Sequence, residues 1–215
     1  MFIKILNNNY KSNQPIFIDD ILNLFKDYTR QRVYQLIDNA LKKEQLVRFD
    51  RGIYYIPTDT ILGKSILSIE DIIVKKYISD NDKIYGIGGK NVLDLNFMIT
   101  TQVPNTLEVI TNNESRALRV IEICNQKVIL RKSRTLITNE NVYAYTILEL
   151  FTNISVSEFK RSLYGKKKVI QYINQNNINL EQIYKLANYF PAKTMKNLIN
   201  CEVINEIIRG QKSIY

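Results

Sequence analysis

Histidine is absent from all 215 residues. That absence removes imidazole-bound zinc, Ser-His-Asp triads, Cys-His nucleophile pairs and histidine general bases from the available chemistry. Cysteine is scarce: Cys124 and Cys201 stand in apolar stretches at no metal-ligand spacing. Long apolar runs are missing too, and the opening Met-Phe-Ile-Lys does not begin a secretory signal. The expectation is a cytoplasmic protein with no membrane segment. Catalysis would have to rest on carboxylates, lysine, tyrosine or a nucleotide-borne metal. No catalytic, metal or cofactor site is expected.

What is present suits a folded chain. Hydrophobic residues make up 45% and charged residues 24%, near globular averages, and the length accommodates two modest cores. The net charge of +9 is unevenly spread. Residues 1–60 carry nine basic against seven acidic side chains, residues 61–114 five against seven, and residues 115–215 sixteen against seven. A basic protein without a membrane signature usually faces phosphate, because each Lys or Arg set on a phosphate releases condensed counterions. A solubilising, lysine-rich surface is the alternative.

The first sixty residues have a readable order. Ile18, Ile21, Leu22 and Phe25 recur at helical spacing, with Asp19 and Asp20 in the first turn. Residues 27–29 interrupt that helix, and Thr29 is placed to cap a second one with apolar positions Val33, Leu36, Ile37, Ala40 and Leu41. Residues 46–50 and 53–56 then read as a β-hairpin with Arg51-Gly52 at its turn, and Pro57 ends the run. Helix, turn, helix, hairpin is the order of a winged helix-turn-helix, whose second helix enters the major groove while the hairpin lies beside the backbone. With Val33, Leu36 and Ile37 inward, Arg30, Gln31, Tyr34, Gln35 and Asn39 point outward and offer guanidinium and amide groups to base edges. Arg48 and Arg51 fall on the hairpin. A winged helix used only for dimerisation or protein docking would leave the same residues as a solvated face.

The remainder reads as a mixed α/β domain over residues 61–215. Ser68 is placed to cap a helix with Ile69, Ile72, Ile73, Lys76 and Tyr77 on its periodic positions. Gly63-Lys64-Ser65 lacks the upstream glycine of a phosphate-binding loop and is rejected as a nucleotide site. The glycine cluster at residues 85–89 lacks a dinucleotide fingerprint and reads as a tight turn before a helix over residues 90–98. Strands are expected at residues 107–111, 120–123 and 127–131, a helix at 141–150, and a mostly helical tail thereafter. Two basic groups stand out, Arg131, Lys132 and Arg134 in one and Lys166, Lys167 and Lys168 in the other. Either could hold nucleic-acid backbone or an acidic partner, or be solvated surface.

Three segments resemble the AbiEi family of antitoxins from type IV abortive-infection toxin–antitoxin systems. They are residues 51–57 (Arg-Gly-Ile-Tyr-Tyr-Ile-Pro), residues 85–89 (Tyr-Gly-Ile-Gly-Gly) leading into a helix, and residues 101–104 (Thr-Gln-Val-Pro) before a strand ending at Asn113. The resemblance covers roughly residues 15–135. Residues 93–98 (Leu-Asp-Leu-Asn-Phe-Met) depart from it, since a smoother apolar helix is expected there, and this leaves the role of Asp94 open. The resemblance implies an N-terminal winged helix that represses its own operon at operator DNA. It also implies a C-terminal domain that counters a nucleotidyltransferase-like toxin without a stable complex. Its DNA-contacting set would include Arg30, Gln31, Arg32, Tyr34 and Gln35, at a helix that Thr29 caps.

Two other readings stand beside this one. The first is a winged-helix regulator whose second domain senses a small molecule or dimerises, with no toxin involved. The second is a nuclease or nucleotidyltransferase holding magnesium on Asp and Glu, for which no acidic pair has suitable strand placement and no phosphate-binding motif exists.

Overall fold

Short apolar clusters separated by turn residues divide the chain into many small elements, which the computed structural model describes over residues 1–61 and 63–212. They assemble into a mixed α+β chain of two compact units, Met1–Lys75 and Lys76–Tyr215. The first unit opens on α1 (Phe2–Asn9), whose buried residues Phe2 and Leu6 lie one turn apart. Strand β1 (Ile16–Phe17) runs directly into α2 (Ile18–Leu24), where the Asp20 carboxylate accepts from the Phe17 amide at 3.4 Å. At Thr29 the backbone is extended, and its hydroxyl accepts from the Arg32 amide at 3.3 Å, which starts α3 (Arg30–Lys42). Strands β2 (Val47–Asp50) and β3 (Ile53–Tyr55) form the expected hairpin, with Gly52 at φ +76° in its turn. An unexpected third strand, β1, pairs antiparallel with the other side of β3, giving the order β1-β3-β2.

These elements close on one core. Ile21 from α2 and Phe25 just after it, Val33, Ile37 and Ala40 from α3, Leu46 and Tyr54 pack with Phe2 and Leu6. Each such aliphatic or aromatic side chain removed from water contributes about 1.5–3 kcal/mol. Beyond the hairpin, β4 (Asp59–Thr60) and β5 (Gly63–Lys64) pair, and α4 (Ile69–Ile73) follows with the Ser68 hydroxyl accepting from the Asp71 amide at 3.0 Å. The unit extends past the boundary expected at residue 60 because contacts distant in sequence tie this segment back. The Tyr55 hydroxyl donates to the Ser65 carbonyl at 2.9 Å, Lys64 pairs with Glu44 at 2.9 Å, and Lys75 donates to the Pro15 carbonyl at 2.7 Å from above the Tyr10 ring. The helix expected through Tyr77 changes character after α4, continuing as a π-helical turn over Val74–Ile78.

The second unit begins with a small antiparallel pair, β6 (Ser79–Asp80) and β7 (Lys83–Ile84). Next come β8 (Gly86–Gly88), α5 (Lys90–Asn96), β9 (Leu107–Thr111), β10 (Leu118–Ile123) and β11 (Gln126–Lys132). Their sheet has the order β10-β11-β9-β8, with β9 and β11 parallel and the other neighbours antiparallel. Strand β8 corrects the tight turn expected at residues 85–89. A Cβ on Gly86 would lie 2.0 Å from the Tyr77 carbonyl oxygen and 2.9 Å from that of Ile110, so the absent side chain lets this strand slot between two backbones. A Gly-Ile-Gly strand offers no apolar alternation to detect.

Six helices complete the unit: α6 (Val142–Asn153), α7 (Val156–Arg161), α8 (Leu163–Gln175), α9 (Leu180–Ala187), α10 (Ala192–Asn200) and α11 (Val203–Lys212). Helix α6 is apolar on nearly every side and accordingly runs through the core, touching α5, α9, α10 and β8. Its buried polar groups are all engaged. Thr146 and Thr152 donate to the carbonyls one turn back at 2.8 Å or share a hydroxyl contact with Thr194, while Glu149 accepts from Arg134 at 3.1 Å. Cys201 is buried, whereas Cys124 is exposed at the β10–β11 turn with φ +44°, so the apolar setting expected of both cysteines holds for Cys201 alone.

Candidate functional site

The inner stripe of α3, Val33, Ile37 and Ala40, is buried, and this fixes which residues face outward. Arg30, Gln31, Tyr34, Gln35 and Asn39 are all exposed, as their spacing predicts, and so is Arg32, which the resemblance alone added. Arg32 donates to the Gln35 side-chain oxygen at 3.2 Å, so these two groups lie side by side on one turn. Asp38 and Lys42 share the exposed surface, and the sequence reading passed over both. Lys42 adds a cation to the last turn, whereas Asp38 would repel a phosphate.

The hairpin borders this helix. Burial pushes the Tyr54 hydroxyl above the usual tyrosine range, and it feels the Arg48 cation together with Tyr34 and Asp38. Arg48 on β2 and the middle of α3 therefore flank one hydroxyl. Arg51 is exposed in the β2–β3 turn, and the Asp50 carboxylate accepts its amide at 2.6 Å. The surface thus combines a polar helix face, two arginines on the hairpin and a capped helix start at Thr29.

The two basic groups of the second unit fare differently. Arg131 forms an ion pair with buried Glu108, and Arg134 pairs with buried Glu149 at 3.1 Å while stacking over the Phe190 ring. Part of their charge is therefore balanced by the unit's own carboxylates. Lys132 is exposed. Lys166 reaches Glu202 at 3.6 Å, and Lys167 and Lys168 are exposed on α8. Asp94, left open by the sequence, is buried and pairs with Lys90 one turn earlier at 2.6 Å.

Among the described residues no group of three or more Cys, Asp or Glu gathers where a metal ion could sit, and no helix is long and apolar enough to cross a membrane. A protein-family model matches residues 4–179, which spans the α2–α3 surface, the four-stranded sheet and α6 to α8. The chain belongs to DUF6088, a family of unknown function. No curated protein matches this DUF6088 chain.

Proposed function

We propose that the protein is a transcriptional regulator that binds duplex DNA through a winged helix-turn-helix in its first unit. The observation that carries this reading is the outward face of α3, where Arg30, Gln31, Arg32, Gln35 and Asn39 are exposed together on a helix anchored by its opposite stripe. Guanidinium and amide groups are the side chains that pair bidentately with guanine and adenine in the major groove. Arg48 and Arg51 on the adjoining hairpin would contact phosphate. The test is fluorescence anisotropy of the full chain on DNA from upstream of its own gene and on random duplex. Tighter binding to the upstream DNA, weakening steeply with salt, supports the reading. Equal, salt-insensitive binding or none sinks it.

The resemblance of residues 15–135 to AbiEi antitoxins extends the proposal: the second unit would counter a nucleotidyltransferase-like toxin. Co-expression with the product of the neighbouring gene, scored as growth rescue, tests that part separately. Rescue by a chain that carries Gln31→Ala, Arg32→Ala and Gln35→Ala but no longer binds DNA would separate the two roles. Failure of the unaltered chain to rescue would leave the regulator alone.

A further inference from the structure

The second unit contains a cleft of about 430 Å³ walled by β8, α5, α6 and α8. Pockets for small ligands run from ~300 to 1,000 Å³. Helix α8 supplies Lys168, Gln171, Tyr172 and Gln175, a spacing of three, four and seven that puts them on one face. Tyr172 meets the Phe97 ring edge-on with centroids 5.1 Å apart and the Tyr143 ring at 6.0 Å, and all three rings line the cleft. Leu93, Ile87 and Val142 add aliphatic surface. Lys168 is the single charged side chain among the lining residues, and no carboxylate is among them.

Each property restricts the occupant. Aromatic and aliphatic walls favour a flat ring over a sugar or a hydrated ion. Asn96, Gln171 and Gln175 are primary amides, each carrying donors and an acceptor on one group. Such groups match the mixed donor and acceptor edge of a nucleobase, and amide readout beside a stacking ring is how proteins recognise an extruded base. A plain aromatic acid would leave these amides unpaired on desolvation. The uncompensated cation calls for an anionic group on the same ligand. We propose that this cleft binds a nucleoside monophosphate, with its base against Tyr172 and Tyr143 and its phosphate on Lys168. Such a ligand would make the second unit a sensor, which goes beyond DNA binding and does not depend on it.

Isothermal titration calorimetry of the full chain, without DNA, tests the assignment. The probes are AMP, GMP, CMP and UMP, the four matching nucleosides, and inorganic phosphate. At least one monophosphate should bind, and its nucleoside should bind about tenfold more weakly for want of the charge-assisted contact. Lys168→Gln should lower affinity for the monophosphate about tenfold, while Lys167→Gln, one residue along the same helix, should leave it unchanged. Both lysines are exposed, so neither variant threatens folding. The assignment is overturned if none of the four monophosphates binds, if inorganic phosphate binds as tightly as they do, or if the two lysine variants weaken binding equally or not at all.

Discussion

Gln35 and Arg51 illustrate how much depends on where a single side chain sits. Both are exposed and polar, but Gln35 lies in the middle of the outward face of α3 and Arg51 at a hairpin turn. An amide facing a base edge discriminates among sequences, whereas a guanidinium on phosphate attracts all of them. Gln35→Ala should therefore relax preference by about 1–3 kcal/mol at one base pair, and Arg51→Ala should weaken specific and random DNA alike. Competition anisotropy with single-base variants distinguishes them, and identical behaviour would refute the division of labour. Tyr145 carries a different residue-scale consequence. Burial pushes its hydroxyl up to about 12, against the opposing pull of the Arg134 amide that it accepts at 2.8 Å. A group whose folded pKa is raised contributes stability that is fully present below its unfolded value, near 10, and lost as pH rises through the folded value. The chain should lose stability between pH 10 and about 12, and Tyr145→Phe should flatten that part of the curve relative to the unaltered protein. Denaturant melts at stepped alkaline pH would reveal either outcome.

At the scale of elements, legibility followed periodicity. Helices α2 and α3, the β2–β3 hairpin, α5, β9, β10, β11 and α6 all appear close to where apolar spacing put them, because each repeats its pattern over enough residues to stand out. The outward face of α3 was legible for the same reason. Elements held by contacts distant in sequence were not. Helix α1 offers two buried residues, β1 is two residues long, and β8 is recognisable as a strand only through the carbonyls of Tyr77 and Ile110 on either side of it. The cleft on α8 was hidden because Lys168, the first member of its stripe, belongs to a group read as basic, and its other walls come from β8, α5 and α6. The β8 account makes a direct prediction. Gly86→Ala should cost at least the 1–3 kcal/mol typical of overpacking, since the colliding atoms are backbone and cannot swing aside. A thermal melt of this variant matching the parent would mean that the strand has more room than its neighbours indicate.

For the whole molecule, the limit of the first unit matters most. The hairpin β4–β5 and the anchoring of Lys75 on Pro15 and Tyr10 belong to it, so a fragment of residues 1–75 carries its complete set of internal contacts while a fragment of residues 1–58 does not. We expect the longer fragment to give dispersed amide resonances and a cooperative melt, and the shorter one to melt at least several degrees lower, as about 1 kcal/mol shifts a domain of this size by roughly 4–8 °C. Equal melting of the two would place the functional boundary back near residue 60. The longer fragment should also bind DNA less tightly than the full chain if exposed cations after residue 115 contribute, and a shallower salt dependence would register their loss.

Among the described residues strand β10 ends its sheet, with β11 on one side and no strand on the other, and Leu118 and Val120 on it are about half exposed. An unpaired strand edge with apolar side chains is a template onto which other chains can add, and only the charges of Arg119 and Glu122 on the same strand oppose it. Its cost is colloidal: concentrated protein should scatter light increasingly with time, and Val120→Lys should suppress that clouding without changing the melt. A variant that clouds as fast as its parent would show that the edge is not where molecules meet.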